Sequence, residues 1–413
     1  MNIASISSVL LFAAAPAPEA GARTTAAPTS APEVAAKAEP KETPHWERVR
    51  FYGRLRAAVV GTGGGSESYT QQNHSAITAA ANPLFRNPDA DPATSFQIGQ
   101  SRFGLKVNEK GKASGTIELD FVDFTKATGA VALRPRLRIG TVDWKPAEDH
   151  KLTFGLTWDL YGALQTYTHN WVGNHFYSGN TAFMRHQFQY IWNPKRVEVG
   201  FAVGLPGLHN NAADIGALEA NIMPTLAGRA AIKFGNKSRI GVSGIYTSLD
   251  YGSTRRDTAS GLAFLDFNVK DVLNLRGEAY AGQNLGNIGA LSLSYGREDQ
   301  NMYEAGGWGS AKLQFTKHVL AFTAGAAAVI NADDAAAGYA RDEDTGAVSR
   351  TGVGITRNTQ LRLGYEYQPV KGLGLYVEPF AYFTTHQLLP EDRAAVSADR
   401  QLAGAELGAV YHF

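Results

Sequence analysis

The chain contains no cysteine. That absence excludes disulfide frameworks, thiolate metal sites, iron–sulfur clusters and cysteine nucleophiles. Nor does any segment approach the roughly 18 consecutive apolar residues that a membrane helix needs. The best stretch, 319–330, is 12 residues long and rich in Ala and Gly. Charge of one sign is missing too. Lys and Arg number 39 against 38 Asp and Glu, without the basic excess of a nucleic-acid-binding protein. No Gly-x-Ser-x-Gly elbow, phosphate-cradling glycine loop or His-Glu-x-x-His is found, which leaves hydrolase and nucleotide chemistry unsupported. Among 413 residues stand 44 glycines, 17 tyrosines and 20 phenylalanines, at a mean hydropathy of -0.22. Such an average fits a soluble protein, or a membrane protein whose apolar residues are diluted by alternation.

The N-terminus is expected to be an export signal over residues 1–22. It has an apolar stretch from Ile3 to Ala15 and small residues at Ala20-Gly21-Ala22. No basic residue follows Met1, so a disordered Ala-rich tail is the competing reading. Residues 23–45, built from Ala, Pro, Thr, Glu and Lys, cannot bury a core and read as a solvated linker.

Beyond residue 46 the dominant period is two. Val49, Phe51, Leu55, Ala57 and Val59 alternate with Arg48, Arg50, Tyr52, Arg54 and Arg56. Leu152, Phe154, Leu156 and Trp158 oppose Lys151, Thr153, Thr157 and Asp159 in the same way. About sixteen such segments fit residues 46–413, at roughly 23 residues per strand and connection. Connections after even-numbered segments are short, as at Asn108–Lys112, Lys270–Asp271 and Thr316–Lys317. Most of those after odd-numbered segments are long, as at Gly61–Ser95, Leu160–Thr181 and Asn331–Arg357. A soluble sandwich has no reason to sort loop lengths by parity. The expectation is therefore an all-β transmembrane antiparallel barrel of about 16 strands, with short periplasmic turns and long extracellular loops. The last segment carries Ala405, Leu407, Ala409, Tyr411 and Phe413 at alternate positions. It resembles the terminal signal read by the outer-membrane barrel-assembly machinery, with Tyr411 and Phe413 as its aromatic marks. An ordinary closing strand that ends in Phe is the plainer reading.

Several stretches resemble trimeric, sixteen-stranded outer-membrane porins, nearest to the DcaP-like group. They are Phe51-Tyr52-Gly53, Gln100 to Lys106, Gly115 to Phe121, Leu133 to Gly140, Phe154 to Trp158 and Met223 to Arg229. Ile139 to Asp143 and Thr225 depart from that group's pattern. The resemblance implies a homotrimer in the Gram-negative outer membrane, with membrane lipid and lipopolysaccharide as surroundings. It implies passive diffusion of small hydrophilic solutes through a channel, without cofactor, metal or enzymatic activity. A non-conducting structural or adhesin barrel and a barrel hydrolase are the alternatives. The small residues of 324–328 on strand thirteen would face lipid and permit close packing.

In a barrel of this size inward charges stay hydrated, so the inward face carries the functional content. Alternation assigns Arg54, Arg56, Arg102, Lys106, Glu118, Asp120, Arg134, Arg136, Arg138, Thr157, Asp159, Arg185, Arg229, Arg276 and Arg362 to the pore lining. Arg134, Arg136 and Arg138 would share one face of strand four, opposite Leu133, Pro135, Leu137 and Ile139. Basic rings favour anions, and guanidinium forks suit carboxylates and phosphates. The alternative is that these arginines merely pair with lumen acids. The loop 160–181 stands where porins fold a constriction into the channel, with Tyr161, Gln165, Tyr167, His169, Trp171 and His175 as its candidates. Its aromatics could equally pack over the pore mouth. His169 and His175 lack a third ligand, so no metal is expected there. The acidic run Asp342-Glu343-Asp344 reads as solvated loop. One extra residue in any strand would reverse every later facing, and the alternation around Ile98–Arg102 looks slipped.

Overall fold

The computed structural model describes residues 48–63, 93–98, 101–121, 135–169, 175–181, 184–205, 223–235, 237–251, 254–288, 290–291, 301–332, 339–341, 348–350, 354–388 and 396–413. The expected signal and linker, Arg134, Trp171 and the run 342–344 lie outside these residues.

Strict apolar–polar alternation yields extended strands, because only a period of two puts every apolar side chain on one face. The strands are β1 (Val49–Thr62), β2 in two segments (Ala93–Gln97 and Arg102–Val107), β3 (Ala113–Phe121) and β4 (Pro135–Trp144). Next come β5 (His150–Trp158), β6 (Met184–Trp192), β7 (Val197–Gly204), β8 (Thr225–Phe234), β9 (Ser238–Tyr251) and β10 (Thr254–Val269). The wall is completed by β11 (Leu273–Gln283), β12 (Tyr303–Phe315), β13 (His318–Val329), β14 (Gly354–Val370), β15 (Leu373–Leu388) and β16 (Val396–His412). Counting β2 once, sixteen antiparallel strands close on themselves, and β1 meets β16 from Arg54↔His412 to Thr62↔Gly404. The C-terminal residue completes that seam. Gly53 N–H donates to Phe413 O (3.1 Å) and Phe413 N–H donates to Gly53 O (3.2 Å). The Phe413 ring lies on Gly53, where a Cβ would come within 2.3 Å of it.

The loop parity holds with one exception: β9 and β10 pair as far as Tyr251↔Thr254, so that odd-strand connection is as short as a turn. At the short-turn end, Val272 N–H donates to Val269 O (3.0 Å) across a two-residue turn with Lys270 and Asp271 both at positive φ (48° and 57°). At the opposite end the chain leaves β13 at Val329 and re-enters β14 at Gly354.

The facing is the reverse of a soluble protein's. Phe51 is 75% exposed and Phe96 80%, while Arg56 and Glu406 on the inner face are 2% and 0% exposed. A continuous outward apolar surface is stable only against lipid. An outward aromatic precedes six of the short turns: Trp144, Trp192, Phe234, Phe267, Phe315 and Tyr367, all exposed. Such a girdle marks the level where an apolar ring meets the membrane–water interface.

Two bulges decide which residues face inward. Ala58 pairs with Gln97 and Arg54 with Arg102, so β2 carries one residue more than β1 over this span. The extra residue accounts for the slip near Ile98: Ile98 and Phe103, five apart, are both exposed outward. Ser101 Oγ–H donates to Ile98 O (2.9 Å) and accepts from Arg56 N–H (3.1 Å), which closes the break. On β4, Ile139 pairs with Glu118 and Leu137 with Leu119, leaving Arg138 as the additional residue. Ile139 therefore stands on the inner side with Glu118, contrary to the alternation expected for it. Past the bulge Val142 and Trp144 face outward.

Candidate functional site

The described parts of the connection from β5 to β6, 159–169 and 175–181, lie against the inner wall of the barrel. At its start Asp159 pairs with Arg185 (2.8 Å), both buried, and accepts the Tyr161 N–H (3.3 Å). Arg229 then donates to Leu160 O (3.2 Å) from β8. Tyr161 is fully buried: its hydroxyl meets Ser260 Oγ of β10 (2.6 Å), and its carbonyl accepts from Ser243 Oγ–H of β9 (2.6 Å). Burial pushes its phenol well above the usual range, so it remains a neutral hydrogen-bonding group.

The next anchor is a carboxylate. Ala163 and Leu164 N–H both donate to Glu278 Oε1 (2.9 and 2.7 Å), and Trp308 Nε1–H donates to Oε2 (3.0 Å). Hydrogen bonds to a charged acceptor contribute about 1.5–3 kcal/mol each, so Glu278 fixes this arm of the loop. Further along, Arg276 donates to Gln165 O (2.9 Å) and to the Tyr167 hydroxyl, and its guanidinium lies 3.8 Å from the Tyr167 ring centroid. Tyr167 O–H donates to Asn274 Oδ1 (2.6 Å), and Lys312 lies 5.1 Å from the same ring. His169 ends the described arm, donating its N–H to Glu378 Oε2 (2.6 Å) and accepting from Arg54 Nη2 at its carbonyl (3.0 Å).

The returning arm, 175–181, packs on β12–β14. His175 is buried, and Asn358 Nδ2–H donates to Ser178 Oγ (2.7 Å). Gly179 adopts φ +99°, and a Cβ there would lie 2.0 Å from Gly307 O, so only glycine permits this approach. Gly325 of β13 faces the loop, with a built Cβ 2.2 Å from Ser178 O. The 324–328 run is thus split. Ala324, Ala326 and Ala328 keep the outward facing expected of them, whereas Gly325 and Ala327 face inward and make room for the loop.

This filling changes the electrostatics. The inward charges are not freely hydrated; most are buried, and burial requires partners. On β3 and β4, Arg138 pairs with Glu118 and Arg136 with Asp120 (2.7 Å), both carboxylates being buried. Arg102 stands 3.8 Å from Glu118. Across the seam Arg56 pairs with Glu406, and Tyr376 O–H donates to the same carboxylate; both ionic side chains are fully buried. Arg362 pairs with Glu378 (2.5 Å) and Arg229 with Glu198 (2.7 Å). Thr157 is half-buried opposite Arg185, and Lys106 pairs with Glu109 (2.8 Å) near the short-turn end. The arginine ladder expected on β4 is therefore largely neutralised. Among the described residues, Arg54, Arg276 and Lys312 have no carboxylate within 4.0 Å.

Sequence reasoning missed Glu378 and Glu406, although both occupy inward positions by the period of their strands. Glu278 also occupies an inward position by the period of its strand, but its grip on the loop backbone was not foreseen. That role depends on where the loop lies, which no period reports.

No protein-family profile matches the chain, and no curated protein matches it by sequence. Solved structures do match its fold. The outer membrane channel DcaP of Acinetobacter baumannii superposes with a TM-score of 0.64 at 13% identity, over 88% of this chain and 97% of that one. An anion-selective porin from Comamonas acidovorans gives 0.52 at 11% identity, over 88% and 99%. OmpT, an outer membrane protein of Vibrio cholerae solved in a trimer form, gives 0.50 at 15% identity, over 88% and 99%. At these identities the likeness establishes a shared barrel fold.

Proposed function

We propose that this protein is an outer-membrane porin, a channel for passive diffusion of small hydrophilic solutes. The observation that carries the reading is the pair of loop arms, 159–169 and 175–181, held against the inner wall of a closed barrel whose outer surface is apolar. The loop narrows the lumen and the wall supplies the field; no covalent chemistry is involved. Pore lining is contributed by Arg54, Arg102, Arg136, Arg276 and Lys312, which are incompletely buried. A lean toward anions is supported by Arg54, Arg276 and Lys312, inner-face cations with no carboxylate within 4.0 Å among the described residues, since an uncompensated positive lumen concentrates anions. A homotrimer, contact with lipid and lipopolysaccharide, and assembly through Tyr411 and Phe413 complete the reading. They are supported by the fold shared with porins and by the exposed terminal aromatics.

The dense packing on the inner face favours a second reading, a non-conducting barrel. Osmotic swelling of proteoliposomes separates the two. A channel admits small neutral sugars and, faster, small carboxylates of equal size. Vesicles that swell no faster than protein-free controls would sink the channel reading.

A further inference from the structure

The contacts of His169 differ in kind from those elsewhere in the loop. Its ring stacks on Tyr376 with centroids 4.2 Å apart and planes inclined by 10°. Tyr376 itself lies flat against Gly408, where a built Cβ would be 2.6 Å from the phenol ring. The imidazole also lies close to Gly364, where a built Cβ would sit 3.5 Å from Cδ2, so a longer side chain there would compete for the ring's place. The wall thus offers a recess between inward glycines of β14 and β16, floored by Tyr376 and filled by one imidazole. The backbone is held as firmly, by Glu378 at its N–H and Arg54 at its carbonyl.

We propose that His169 sets the aperture of the barrel: its ring and backbone latch the 159–169 arm onto the wall at this recess, and proton uptake by the ring releases it. The inference rests on the channel reading above. Every element packed on the ring bears charge on the argument. β14 brings Glu366, whose Oε2 lies 3.5 Å from Nε2. β15 brings Glu378 and the Tyr376 hydroxyl, β1 brings Arg54, and β16 brings Glu406 and His412. Glu378 and Glu406 are already paired with Arg362 and Arg56, whereas Glu366 has no arginine within 4.0 Å among the described residues and stands within ion-pair distance of the ring. Burial outweighs these carboxylates and, helped by Arg54, holds the imidazole below its ordinary value of 6.5. The docked ring therefore binds protons less readily than a released one. Docking is at full strength above the ordinary imidazole range and weakens as pH falls through it.

The test is single-channel conductance of the refolded full chain in planar bilayers at pH 7.5 and pH 4.5, corrected for bulk conductivity. Wild type should conduct more at the lower pH. His169→Phe keeps the stack and cannot titrate, so its pH dependence should be lost. His169→Ala should conduct at the elevated level at both values. Glu366→Gln removes the attraction for the imidazolium. It should alter the pH at which conductance rises, and so keeps the test open if a His169 variant fails to fold. Equal conductance of His169→Ala and wild type at pH 7.5, or an unchanged pH response in His169→Phe or Glu366→Gln, would overturn the latch. Wild type that is folded yet silent at both pH values would instead overturn the channel reading on which it stands.

Discussion

The Arg56–Glu406 pair at the β1–β16 seam permits a quantitative test of how the inner face is stabilised. Both side chains are fully buried, and Tyr376 O–H donates to the carboxylate they share. Glu406→Gln keeps the shape but takes from the buried Arg56 its Glu406 partner, a loss of the kind that costs about 3–5 kcal/mol. Replacing both by apolar residues of similar volume, Arg56→Met with Glu406→Leu, removes the two desolvation penalties together. That change is expected to lie within about 2 kcal/mol of wild type, the Tyr376 hydroxyl losing one acceptor worth about 1 kcal/mol. Urea unfolding in lipid vesicles, followed by tryptophan fluorescence and by the gel mobility of the folded barrel, reads both numbers. If the double variant is as unstable as Glu406→Gln, or if Glu406→Gln costs less than about 1 kcal/mol, the seam is wetter than its geometry implies.

Three further outcomes follow from single features. Lys270→Asn with Asp271→Gly places residues suited to positive φ in the β10–β11 turn; unfolding in urea should show a gain of about 1–2 kcal/mol. The ion pair it removes, Lys237–Asp271, is solvent-exposed and contributes little. Gly179→Val forces a side chain against Gly307 O, so the returning arm should leave the wall; faster proteolysis within 170–183 of the folded barrel would register it, and unchanged cleavage would count against the described packing. Lys312→Gln should move the reversal potential toward cations, whereas Arg136→Gln combined with Asp120→Asn, which deletes a neutral pair, should leave it in place.

The barrel was legible because its cause is local. Period-two alternation in 49–59 and 151–159, and turns such as Lys270–Asp271, act over a few residues and therefore stand in the sequence. The inward facing of Arg54, Arg56, Arg185 and Arg362 was readable for the same reason. Ile139 was not, because the bulge that re-aims it is fixed by pairing with β3, and neither strand alone carries a mark of it. The loop candidates Tyr161, Gln165, Tyr167, His169 and His175 were identifiable by position and residue type. Their partners are distant in sequence: Ser243 and Ser260 for Tyr161, Arg276 for Gln165 and Tyr167, and Glu378 for His169. The expectation of hydrated lumen charges failed for a physical reason: a loop that folds inward removes water from the wall it covers, so the arginines there need partners, carboxylates for Arg185, Arg229 and Arg362 and loop carbonyls for Arg54 and Arg276.

The central claim, an open channel biased toward anions, is tested most directly by planar-bilayer recording of the refolded protein in a KCl gradient. The account predicts conductance that closes in three equal steps and a reversal potential on the anion-selective side. A conducting pore with a cation-selective or zero reversal potential would contradict the role given to Arg54, Arg276 and Lys312. Folded protein without any conductance would contradict the channel itself.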